Sequence, residues 1–229
     1  PRLIQIIISL LAVAVLIILR GKSKEESTQK KLAEFLLETL TNLGPCFIKL
    51  GQSLSTRPDL VNRHWLDELT KLQDNLPSFN HETALSIIEE ELGEKPNRLF
   101  EVFPETPIAA ASLGQVYKAR LYANYWVAVK IQRPNLPFII RRDLVIIKLL
   151  GIATSPILPL NLGFSLSEII DEFGKNLFEE IDYEKEADNA ERFAKLFANN
   201  SAITIPKVER HLSSVKVWET PTSFAIYSV

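Results

Sequence analysis

Ile108-Ala109-Ala110-Ala111-Ser112-Leu113-Gly114-Gln115-Val116, followed by Val127-Ala128-Val129-Lys130, sets the architecture of this chain. Ile108 to Ala111, Gln115 to Leu121 and Trp126 to Ile131 read as three short strands joined by turns. On the third strand Val127, Val129 and Ile131 share one face, so Ala128 and Lys130 share the other. A lysine placed opposite three β-branched residues, 14 positions after Val116, is what a ligand-facing strand needs. Gln132-Arg133-Pro134-Asn135 ends that strand.

Upstream of Pro104 and Pro107 the pattern is helical. From Lys31, Leu32, Leu36, Leu40 and Leu43 recur at helical spacing, and Gly44-Pro45 stops the run, glycine just past the end and proline beyond it. A second short helix carries Cys46 to Leu54. Glycine inside a helix costs about 1 kcal/mol relative to alanine, so Gly51 signals close packing. Arg57-Pro58-Asp59-Leu60 is a turn, because the residue before proline is pushed out of the helical region. Helical spacing resumes through Trp65-Leu66, Leu69 and Leu72. It returns from Ala84 to Leu92, where Asn80 is the candidate N-cap and Gly93 the stop. Residues 31–104 therefore read as an all-helical block.

Downstream, Ile139 to Leu150 reads as a helix and Thr154 to Leu162 as a proline-interrupted connection. Leu166 to Phe197 is mostly helical, with Ile169, Ile170, Phe173, Leu177 and Ile181 as the buried stripe and Gly174 and Asp182-Tyr183 as candidate breaks. Ile203-Thr204-Ile205-Pro206 and Val215-Lys216-Val217-Trp218 look like strands. The fold class is α+β, a helical block before a small antiparallel sheet with its own helices over residues 105–219.

Leu3 to Leu19 is apolar apart from Gln5 and Ser9, and Arg2 and Arg20 flank it. Its length gives about 25 Å of helix, the lower edge of what spans a bilayer. A membrane span, a helix lying on a membrane or partner, and a helix buried in its own fold are all open. The flanking arginines with Lys22 and Lys24 favour a membrane-associated helix over residues 1–21, and no small-residue site follows that would suit a cleaved signal peptide. The 26 basic residues against 28 acidic ones argue against a nucleic-acid binder working through a broad basic field. A single Cys46 and three scattered His (His64, His81, His211) exclude a disulfide framework and disfavour a zinc site. The natural setting is a reducing compartment. The chain starts at Pro1 and holds no Met, which suggests a fragment boundary or a truncation.

A second cluster is Glu179-Glu180-Ile181-Asp182-Tyr183-Glu184-Lys185-Glu186-Ala187. In one continuous helix Asp182 and Glu186 would fall about 40° apart, with Glu180 about 200° from Asp182. One acidic face could then serve Lys130 and the other a different partner. The plainer alternative is a solvated acidic surface. The alanine segment has its own plain alternative, a tight strand turn that binds nothing. Its Cβ atoms make it stiffer than glycine and keep it from approaching phosphates as freely.

Written against the glycine loop of protein kinases, G-x-G-x-x-G-x-V, the segment supplies Ala109, Ala111, Gly114 and Val116. With it, in order, stand Lys49-x-Gly51-Gln52, then Ser55-Thr56-Arg57-Pro58-Asp59, the Val-Ala-Val-Lys130 strand, Glu180-x-Asp182 and Glu186-Ala187. This ordered set resembles the UbiB family of atypical protein-kinase-like proteins, linked to ubiquinone and other prenylquinone metabolism, over roughly Lys31 to Lys216. The resemblance implies a kinase-like N-terminal lobe after a helical extension. It implies that Lys130 contacts the nucleotide with Glu186 as its ion-pair partner, and that Ala109, Ala110, Ala111, Ser112, Gly114, Val116 and Ala128 line the ATP phosphate site. Lys49, Gly51 and Gln52 would belong to the extension that folds over the site, with Glu180 and Asp182 facing it and Lys49 to Glu180 as a further ion pair. The implied cofactor is ATP with magnesium. The implied activity is ATPase-type rather than protein phosphorylation, coupled to membrane lipids or prenylquinone precursors. The apolar N-terminal helix resembles that of cyanobacterial and plastid members, so the implied setting is the cytosolic or stromal face of such a membrane.

After Val217-Trp218-Glu219 the pattern departs from the family. Residues 220–229 form a divergent tail where the resemblance would lead into a C-terminal lobe bearing the catalytic aspartate and the metal ligands. The chain alone is therefore expected to be catalytically inert and to bind magnesium-ATP weakly or not at all. It would be completed by a separate C-terminal lobe or by self-association. The alternatives are a non-catalytic, membrane-associated binding module for lipid or quinone precursors, and a gene remnant.

Overall fold

The computed structural model describes residues 1–21, 23, 25–58, 63–73, 76–122, 124–154 and 165–221. Lys22, Lys24, Asp59, Leu60, most of the expected connection up to Leu162 and the tail from Thr222 lie outside them. In chain order the elements are α1 (Arg2–Arg20), α2 (Glu26–Leu43), α3 (Pro45–Ser55), α4 (Arg63–Thr70), α5 (His81–Leu92) and α6 (Pro96–Leu99). Then come β1 (Phe100–Val102), β2 (Ala109–Ala110), β3 (Gly114–Leu121), β4 (Trp126–Gln132), α7 (Leu136–Thr154), α8 (Leu166–Glu180), α9 (Tyr183–Leu196) and β5 (Val217–Pro221). They divide into two compact units, Pro1–Leu76 with Phe138–Gly174, and Pro77–Pro137 with Lys175–Val229.

The first unit is helical. Its core is Leu32, Ala33, Leu40 and Leu43 of α2, Cys46, Phe47 and Ile48 of α3, and Leu69 and Leu72. Each large apolar side chain buried in this way contributes about 1.5–3 kcal/mol. Gly51 marks the tightest approach, since a Cβ there would collide with the side chain of Leu72 and lie 2.8 Å from Leu40 Cδ1. The packing inferred from a glycine inside a helix is thus supplied by α2 and the turn after α4. Helix α1 buries Ile6 and Val13, while Ile4, Ile8, Leu11, Val15 and Ile18 form an exposed apolar stripe at helical spacing. At the start of α1, Arg2 donates to the carbonyl of Leu43 and to the carboxylate of Asp143, a fully buried residue of α7. Helices α7 and α8 meet where Gly151 faces Leu166 and Ile170 and Gly174 faces Leu144, and Lys148 Nζ lies 2.6 Å from Asp171.

In the second unit the sheet is antiparallel, ordered β1-β3-β4-β5 with β2 paired to β3. Val116 stands opposite Lys130 and Tyr117 opposite Val129. Tyr117, Ala119, Val127, Val129, Ile131 and Val217 fill one face and pack on Ala84, Ile87 and Ile88 of α5. Helix α5 begins where Asn80 Oδ1 accepts from the amides of Glu82 and Thr83, and it ends at Gly93 in the left-handed conformation, as the sequence leads one to expect.

Several expectations are corrected. Residues 31–104 are not helical throughout, since Phe100–Val102 pairs with β3. The first expected strand shrinks to Ala109–Ala110. The helix across Gly174 does not break there, because the glycine is a contact point for Leu144 and not a stop. It breaks between Glu180 and Tyr183, so the single-helix geometry for Glu180, Asp182 and Glu186 does not apply. Ile169 is 38% exposed and falls off the buried stripe. Ile203 to Pro206 form no strand, and β5 takes the position beside β4.

Candidate functional site

Lys130 owes its position to the alternation of β4. Val127, Val129 and Ile131 are fully buried against the core, which turns Lys130 to the opposite face together with Val116, its neighbour across the ladder. There Lys130 Nζ donates to Glu186 Oε2 at 2.7 Å and lies 4.4 Å from the centre of the Tyr183 ring, within cation–π range.

Glu186 is presented by the first turn of α9. That helix starts at Tyr183 because Asp182 adopts an extended backbone and its Oδ1 accepts from the Lys185 amide at 3.2 Å. The chain before it is held by Gln132, a fully buried residue of β4 whose Nε2 donates to Ile181 O at 2.7 Å. The Tyr183 amide donates to Val215 O at 3.3 Å. Strand β4 therefore contributes both Lys130 and the anchor for the helix that carries its partner.

Tyr183 itself is fully buried. Burial, then the nearby charges of Glu186 and Glu180, push its phenol well above its usual range, so it stays neutral. Its hydroxyl has no hydrogen-bond partner among the described residues. It lies close under Gly114, where a Cβ would stand 2.8 Å from that oxygen and 2.5 Å from Ile131 O. Any other residue at Gly114 would force β3 away from β4 and α9.

The alanine segment crosses beside this point. Ala109 pairs with Val116 and Ala110 with Gln115, the Ala111 amide donates to Gly114 O at 2.8 Å, and Ser112 and Leu113 are buried. Ala128, also buried, lies on the face of Lys130. The structure thus gathers Gly114, Val116, Ala128, Lys130 and Glu186 around one sheet face, with the alanines as its rim. Tyr183 and Gln132 escaped the sequence reading. The available signal for Gln132 was a polar residue closing an otherwise apolar strand.

Lys49, Gly51 and Gln52 lie on α3 in the first unit, where Gln52 Nε2 donates to Leu72 O at 2.8 Å. Glu180 is the exposed last residue of α8 and Asp182 the cap of α9, both in the second unit. Chemically, the gathered face is a fixed cation beside a strand turn, an arrangement that can hold an anionic ligand. Among the described residues no three His, Cys, Asp or Glu side chains come together as a metal cluster.

The family model of the ABC1 atypical kinase-like domain matches residues 71–220. The chain belongs to that family. Its ABC1 relatives include a Synechocystis sp. protein, 49% identical over 192 residues, which cover 84% of this chain and 34% of the relative. Protein ACTIVITY OF BC1 COMPLEX KINASE 1, chloroplastic, of Arabidopsis thaliana is 42% identical over 195 residues, 85% of this chain and 29% of its own. The chain spans about a third of the length of the curated relatives it matches. A Mycobacterium tuberculosis protein solved in complex with erythromycin superposes with a TM-score of 0.53 at 30% identity, over 75% of this chain and 43% of that one. The UbiB-like motifs and the ABC1 match describe one family, and its α+β, kinase-like N-terminal lobe with a helical extension is the fold of this chain.

Proposed function

We propose that the sheet face of Lys130 holds the phosphates of ATP, as the nucleotide-binding part of an atypical kinase or ATPase that supports prenylquinone metabolism at a membrane. The observation that carries this reading is the 2.7 Å pair of Lys130 and Glu186 beside the alanine segment. Lys130 would neutralise phosphate charge, Glu186 would hold the amine in place, and the loop backbone would fix the ligand's position. Phosphoryl transfer rests on such positioning and charge stabilisation. Magnesium would arrive with the nucleotide, held largely by phosphate oxygens and water. The plastid and cyanobacterial relatives support a plastid or cyanobacterial setting, within which the proposal places the chain on the cytosolic or stromal face of a membrane.

Titration of the chain with magnesium-ATP tests this. Saturable binding that is lost in Lys130→Ala supports the reading. This part of the family's fold alone is expected to bind weakly, so the titration runs to millimolar nucleotide; binding that survives the substitution, or none even at that concentration, overturns the reading.

Support for the membrane part comes from α1, a 19-residue helix long and apolar enough to cross a bilayer. Helix α7 adds an exposed apolar row, Phe138, Val145, Leu149 and Ile152. These rows favour the second reading, a non-catalytic module for lipid or quinone precursors. Liposome flotation of the chain with and without residues 3–19 tests anchoring, and equal flotation would sink it. A chain that floats but never binds nucleotide would favour the second reading over the first.

A further inference from the structure

We propose that Arg133 is a positioning residue that staples the alanine segment to residues 77–79, making those residues part of the loop structure. This rests on the nucleotide reading for its consequence but not for its geometry. The Arg133 amide donates to Leu113 O at 2.9 Å, Nε donates to Ala111 O at 3.0 Å and Nη2 donates to Pro77 O at 2.7 Å. The guanidinium also lies 5.9 Å from the centre of the Phe79 ring. One side chain thereby holds a carbonyl of the loop and a carbonyl of the segment that leads into α5.

The staple is doubled from beneath. Gln115, fully buried on β3, accepts the Phe79 amide at 3.0 Å through Oε1, while its Nε2 donates to Tyr117 Oη at 2.6 Å and Phe79 O at 3.4 Å. Both hydrogen-bond partners of the Arg133 guanidinium are neutral carbonyls. Only a planar fork of N–H donors can serve two carbonyls in fixed directions, and a lysine ammonium lacks that geometry. The residue's use here is therefore geometric, and the loop it holds is fixed at Ala111 and Leu113. A glycine loop closes on its ligand by moving. This one is set in advance, which removes an ordering cost from binding.

Hydrogen exchange of the chain, with Arg133→Lys and Arg133→Gln beside the wild type, reads the staple directly. Peptides covering 109–114 and 77–80 should exchange about tenfold faster in both variants, while α5 and β4 stay protected and show that the fold is intact. Magnesium-ATP titration of the same proteins should show about tenfold weaker binding in both. Unchanged exchange in either variant overturns the staple. Faster exchange with unchanged affinity overturns the positioning role. Absence of binding by the wild type overturns the nucleotide reading instead, and the exchange data keep the two failures apart.

Discussion

Lys130 Nζ and Glu186 Oε2 lie 2.7 Å apart although 56 positions separate them in sequence. Their side chains are 28% and 39% exposed, so the pair contributes only about 0.2–1 kcal/mol to folding. Glu186→Gln should lower the melting temperature by no more than about 4 °C, while magnesium-ATP affinity falls more than about tenfold. Differential scanning fluorimetry and calorimetry on one sample check both. A large loss of stability with unchanged affinity would make the pair structural.

Gly114→Ala should be costly for a reason local to β3. The added methyl would meet Ile131 O at 2.5 Å and the Tyr183 hydroxyl at 2.8 Å. Overpacking of this kind costs about 1–3 kcal/mol, measurable by urea denaturation. Adding Tyr183→Phe should recover only part of the loss, because the carbonyl clash is backbone and remains. Full recovery would place the strain on the hydroxyl alone.

Asp143 is fully buried between Arg2 and Arg142, with Arg142 Nε at 3.0 Å. Arg2→Ala leaves that carboxylate with half its compensation and should destabilise the chain by about 1–3 kcal/mol. Arg2→Ala combined with Asp143→Asn should cost less than the sum of the two single changes. Chemical denaturation of the double-mutant cycle checks this, and strict additivity would show that the two residues do not interact.

Cys46 is fully buried, and burial, reinforced by Asp143 and opposed by Arg2, pushes its thiol from 9.0 up to about 12. At pH 8 iodoacetamide should therefore alkylate it only as fast as the first unit opens. Below pH 9 folded and unfolded chains both keep the proton. Between pH 9 and 12 the unfolded chain releases a proton that the folded one retains, so stability falls as pH rises, by at most about 1.4 kcal/mol per unit. Rapid alkylation under native conditions would contradict the burial.

The parts of the fold that were legible in sequence are those set locally. Alternation placed Val127, Val129 and Ile131 inside and Lys130 outside, Asn80 and Gly93 bounded α5, and Gly51 announced a close contact. What was not legible depends on distant groups. Asp182-Tyr183 was legible as a candidate break, but not its anchor, since Gln132, 49 positions from Ile181, holds the carbonyl where the helix gives way. Phe100–Val102 is too short to show a period. Ile203 to Ile205 have strand-forming side chains, but the place beside β4 is taken by β5 and these residues form no strand. At the site, the resemblance supplied Glu186, whereas Tyr183, Arg133 and Gln115 emerged only from three-dimensional contacts.

The break between α8 and α9 also sorts the carboxylates of this region by the field each one meets. Asp182 opens α9, where the exposed amides of a first turn welcome negative charge. Glu179 and Glu180 close α8, where outward-facing carbonyls already present negative charge and a basic residue would stabilise the helix instead. Two acidic side chains at that end oppose their own helix, so the chain carries Glu180 at a small cost to folding. The break thus sets two opposite fields side by side, and the acidic groups before and after it contribute to folding with opposite signs.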